Sequence, residues 1–134
     1  MSGKKSTMDS ASTRKEWTAR VEDLLSQLEE WAREKNWEVA RDQKEITESL
    51  LGTYSVPVLR IWTPSGTLCA EPIARDVVGA DGRVDLYAWP SLHRVMLILA
   101  EGKWSVLTDS GIDWPEPWGR ETFVELAISL TKAP

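Results

Sequence analysis

Cysteine and histidine are nearly missing: 134 residues hold one of each, Cys69 and His93. One cysteine excludes an intrachain disulfide, and zinc sites draw on Cys and His in spaced pairs, so a structural zinc site is excluded as well. Cys69 lies between Leu68 and Ala70 and reads as a small core residue. Nothing around His93 resembles a nucleophile elbow, so no Ser-His-Asp triad is expected. Long apolar runs are also missing. The longest spans only Val95 to Ala100. Crossing a bilayer takes about 20 residues, so no membrane span is expected. Residues 1–13 are polar and lack the apolar centre of a signal peptide, so a cytoplasmic location is the expectation. An excess of positive charge is missing: the net charge is −5, and Lys4, Lys5, Arg14 and Lys15 are spread out. An acidic chain without a basic patch repels phosphate backbones, so nucleic acid is not an expected partner. No glycine-rich phosphate loop occurs, and no cofactor is expected.

Tryptophan, in contrast, is abundant, with eight residues at 17, 31, 37, 62, 89, 104, 114 and 118. One small core does not need them all, so one to three are expected at the surface, where tryptophan anchors interfaces.

Residues 1–12 are rich in Ser, Lys and Thr without periodicity and read as a disordered tail ahead of a single domain over 13–134. Trp17, Val21, Leu24, Leu28 and Trp31 then recur at alternating spacings of four and three, which predicts a long amphipathic helix. Thr13 with Glu16 three residues on has capping-box spacing, and the helix should end near Lys35-Asn36. Its stripe can pack on a sheet or form a homodimer seam through this first helix. Trp37 to Ala40 reads as a short strand, and Lys44 to Leu51 as a short helix stopped by Gly52. Strands follow over 56–62, 67–73, 83–89, 95–99 and 104–108, with turns at 63–66, Asp81-Gly82 and Glu101-Gly102. Arg83 to Trp89 alternates, with Val84, Leu86 and Ala88 on one face and Arg83, Asp85, Tyr87 and Trp89 on the other. Val95 to Leu99 is apolar throughout, which predicts a strand covered on both faces. Arg120 to Thr131 is a closing helix. The fold class is therefore α+β: an antiparallel meander sheet of about five to six strands with a long N-terminal helix, a short helix and a C-terminal helix.

Three constellations carry chemical potential. Asp85, followed further along the chain by Glu101-Gly102-Lys103, resembles the PD-(D/E)XK pattern of Mg²⁺-dependent nucleases, an Asp on one strand and Glu-x-Lys on a following strand, across positions 85–103. The resemblance implies that Asp85 and Glu101 hold the metal while Lys103 helps activate water. Gly102 stands where that pattern has an apolar residue and Val84 where it has proline, and a hairpin tip at Gly102 would leave Glu101 and Lys103 in water. Asp109, Asp113 and Glu116 form an acidic loop set that could take Ca²⁺, without EF-hand spacing. Tyr87 and Trp89 on the polar face of their strand, with Trp114 and Trp118 around two prolines, are candidates for partner binding. A small-ligand pocket between helix and sheet, lined by Trp62, Trp89 or Trp104, is a further candidate. Without a convincing catalytic set, a non-catalytic protein-binding module with an unknown protein partner is the leading expectation, and a nuclease or its inactive relative is the alternative.

Overall fold

The computed structural model describes residues 2–132, with side chains from residue 10 onward. Helix α1 (Ser2–Glu34) is followed by strands β1 (Glu38–Glu48), β2 (Gly52–Thr63), β3 (Gly66–Ala74), β4 (Gly82–Trp89), β5 (Arg94–Ala100) and β6 (Lys103–Thr108), then helix α2 (Arg120–Thr131). The six strands form one antiparallel sheet in sequence order, so the α+β meander is as expected. Both helices lie on the same face, α1 against β1 and β2 and α2 against β2, β3 and β4.

The stripe of α1 does what its spacing predicts. Trp17, Val21, Leu24, Leu25, Leu28 and Ala32 are all buried against the sheet. Packing within the chain therefore takes up the apolar seam that a homodimer through the first helix would need. The helix ends as its sequence dictates. Asn36 adopts a left-handed φ of 61°. The Trp37 and Asn36 amides donate to the Ala32 and Arg33 carbonyls, a Schellman closure. Its start differs. Helical backbone runs from Ser2 through the stretch expected as a tail over 1–12, so Thr13 lies inside the helix and caps nothing. No proline interrupts residues 2–34, and a weak helix former is tolerated when flanking turns propagate.

The expected short helix over Lys44 to Leu51 is instead the second half of β1 and its turn. Ile46 faces Tyr54 and Thr47 faces Thr53 across the hairpin, where the two threonine hydroxyls are 2.8 Å apart. Cross-strand pairing overrode a short, ambiguous apolar pattern. The β2–β3 register, if continued past Leu59↔Ala70, would set Pro57 opposite Pro72, and neither offers an amide N–H. Pairing stops there, and the far half of the β1–β2 hairpin bends to the helix side. Buried positions switch from Leu59 and Ile61 to Val56 and Tyr54, and the Arg14 guanidinium donates to the Leu51 carbonyl.

Two further expectations change. The turn before β4 is centred on Val78-Gly79, bridged by Val77 and Ala80, and Gly82 already belongs to β4. Strand β5 is covered on one face only: Val95, Leu97 and Leu99 enter the core, while Met96 and Ile98 lie on the sheet's other face, half-buried. The Glu101-Gly102 turn is as expected, with both residues at positive φ, 53° and 75°. A two-residue I′ hairpin requires that pair of left-handed conformations.

Candidate functional site

The sheet face opposite the helices is the candidate site. Side chains alternate along each strand, so the register fixes its rows. Trp62, Thr67 and Trp89 form one row across β2, β3 and β4. Arg60, Cys69, Tyr87 and Arg94 form the next, and Glu71, Asp85, Met96 and Leu107 the third. No helix among the described residues covers this face.

Its charges are largely satisfied internally. Arg83 grips Asp85 with two hydrogen bonds of 2.7 and 2.9 Å, and Arg94 approaches the same carboxylate at 3.6 Å while holding Asp109 at 2.7 Å. Glu71 accepts from Lys44 Nζ at 2.7 Å and from the Tyr87 hydroxyl at 3.0 Å. Burial alone would raise the Glu71 pKa, but these two donors outweigh it and hold the carboxylate below its usual range. The Tyr87 hydroxyl is pushed up by the adjoining Cys69 thiol, by burial and by Glu71. Burial likewise raises the Cys69 thiol, which makes it a poor nucleophile.

Against this neutralised ground the aromatics stand out. Trp62 is 42% and Trp89 64% exposed, the two surface tryptophans among eight. They flank a groove with Arg60 and Tyr87, over a floor of Thr67 and Cys69.

The four residues expected to share a partner surface do not. Tyr87 and Trp89 lie on this open face, whereas Trp114 and Trp118 are half-buried and pack against the core. Trp118 sits 5.8 Å from the Trp31 ring and 6.3 Å from Phe123, and the Trp114 amide donates to the Val106 carbonyl. The three tryptophans do not line a pocket between helix and sheet: Trp62 and Trp89 share the groove on the face away from the helices, and Trp104 packs against the core 6.2 Å from the Trp17 ring.

Nor does the fold gather the nuclease pattern. Asp85 pairs with Met96, and Glu101 lies beyond the far end of β5. At ~3.4 Å per residue the offset from Met96 to Glu101 is roughly 17 Å, whereas two carboxylates sharing a metal each sit within about 2.6 Å of it. Asp85 is also only 3% exposed and already paired with arginine, and Glu101 and Lys103 are exposed at the tip. In the acidic loop, Asp109 is taken by Arg94 and Asp113 forms a backbone bridge to Leu107. The turn is closed by Thr108, whose amide donates to the Ile112 carbonyl and whose hydroxyl accepts from the Ile112 amide. No group of three or more His, Cys, Asp or Glu able to hold a metal occurs among the described residues, so Asp109, Asp113 and Glu116 do not converge.

Trp62 is not among the residues expected on the partner surface, only among those of the pocket expected between helix and sheet. Its signal was the alternation of Val58, Arg60 and Trp62, which puts it beside an arginine on one face. Comparison with protein-family models, with curated proteins and with solved structures gives no match for this chain. No helix among the described residues is long and apolar enough to cross a membrane.

Proposed function

We propose that the chain is a small non-catalytic binding module, an adaptor, chaperone-like subunit or inhibitor acting in the cytoplasm, that docks another protein on its open sheet face. Trp62 and Trp89 are the anchors. One observation carries the reading: two large aromatic side chains stand exposed on the face away from the helices, next to half-buried Tyr87, Met96, Ile98 and Leu107. Antiparallel sheets that face water on one side are normally polar there, and exposed aromatic clusters with paired charges around them have the composition of an interface.

The test is affinity capture from the producing cells. The native chain, a Trp62→Ser/Trp89→Ser double variant and a Leu50→Ser control are compared; Leu50 is exposed at the β1–β2 turn. One protein should co-purify in stoichiometric amount with the native chain and the control and be lost from the double variant. Equal recovery by all three contradicts the reading. All three should melt at similar temperatures, because exposed substitutions change stability by only about 0.5 kcal/mol.

A further inference from the structure

The partner's segment can be specified further, on the premise that the open face is the docking site. Strand addition is disfavoured at both outer edges of the sheet. Edge strand β1 carries Glu38, Arg41, Asp42, Lys44, Glu45 and Glu48, and such charges blunt edges against pairing. Edge strand β6 has its Val106 carbonyl taken by Trp114 and its Leu107 bridged to Asp113. A segment that meets both Trp62 and Trp89, which stand on the interior strands β2 and β4, lies across the face without a backbone ladder.

The groove has dimensions and charge that select such a segment. Trp62 and Trp89 stand on β2 and β4, two strand spacings apart. Two spacings put about 9.6 Å between backbones. One turn of polyproline II, three residues at ~3.1 Å, spans about 9.3 Å. A segment lying across the strands thus sets residues i and i+3 against the two indoles in turn, over the small Thr67 and Cys69. Polyproline segments need no ladder bonds, lose little entropy on docking and characteristically use aromatic-lined grooves. Among the described residues, Arg60 is the one charged side chain lining the groove, and it is about half exposed. Its ion pair is a 3.3 Å contact to Asp42, itself exposed. Such surface pairs exchange partners at little cost. Glu71, beyond the floor, is already neutralised by Lys44. The groove lining therefore offers one exchangeable cation and no carboxylate.

We propose that this groove takes a polyproline-type segment of another protein, with prolines three residues apart against Trp62 and Trp89 and an adjoining acidic side chain on Arg60. The chain's own Pro115-Glu116-Pro117 has prolines two apart and does not meet the spacing.

The full chain, isotope-labelled, is titrated with three synthetic peptides: one with P-x-x-P and flanking glutamates, one with lysines replacing the glutamates, and one with alanines replacing the prolines. The acidic proline peptide should shift the Thr67 and Cys69 amides and the Trp62 and Trp89 indole signals saturably. Each of the other two should bind at least about tenfold more weakly. Arg60→Gln should remove the preference of acidic over basic peptide while leaving binding dependent on proline, and Trp62→Ser should remove binding. No shift, equal binding of all three peptides, or dilution-dependent shifts at the same residues from self-association would each overturn the proposal. So would stronger binding there of an oligosaccharide or a single-stranded oligonucleotide. If a protein is still captured through Trp62 and Trp89 while the peptides fail, only the segment's chemistry is wrong; if capture also fails, the docking reading falls with it.

Discussion

Glu48 shows how one carboxylate fastens two distant turns. It accepts the Tyr54 hydroxyl within its own hairpin and the amides of Arg75 (3.0 Å) and Asp76 (2.8 Å) from the β3–β4 connection. Burial would raise its pKa above the ordinary 4.5, but the Tyr54 hydroxyl and the two amides outweigh burial, and the folded value is lowered. A carboxyl with a depressed folded pKa contributes stability above its unfolded pKa and loses it as pH falls through the folded one. Glu48→Gln should therefore cost about 1 kcal/mol near neutrality, allowing for partial solvent screening. The gap to the native chain should close as pH drops below 4.5, in urea unfolding followed across that range. A gap independent of pH contradicts the assignment. Asp85 illustrates the opposite lesson: a carboxylate that suggested metal chemistry is held by Arg83 and Arg94 as part of the face's internal neutralisation.

The elements were legible wherever one physical signal dominated. The α1 stripe, the alternation of β4, the Glu101-Gly102 turn and the span of α2 follow from periodicity and turn chemistry that the structure leaves intact. Residues 44–51 were not legible, because Ile46 and Leu50-Leu51 satisfy a single helical turn as well as a strand and its turn, and only pairing with Tyr54 and Thr53 decides between them. The face of each tryptophan was equally hidden: Trp114 and Trp118 resemble surface anchors until the core is assembled, when Trp118 meets Trp31 and Phe123. Gly82 read as a turn residue, yet its role is steric. A Cβ there would meet ring carbons of Trp17 at 2.2 to 2.8 Å, so the glycine lets α1 close onto the start of β4. Gly82→Ala should destabilise the fold by about 1–3 kcal/mol, the usual cost of overpacking. The Trp17 indole signal in an NMR spectrum should shift as the ring is displaced; unchanged stability contradicts the packing.

As a whole the molecule is two layers, helices on one side of a six-stranded sheet and open surface on the other. A charge of −5 keeps copies apart, while the open face carries neutralised charge and two exposed indoles. On the docking account, the half-buried Met96 and Ile98 of β5 extend the surface that the partner meets. Photo-crosslinking in the producing cells tests this most directly, with a photoreactive phenylalanine analogue in place of Met96, of Ile98 and, as control, of Leu50, so that both indole anchors stay in place. The prediction is a discrete adduct with one other protein from positions 96 and 98 and none from 50. Adducts from all three positions alike, or from none, contradict the open face as the docking surface.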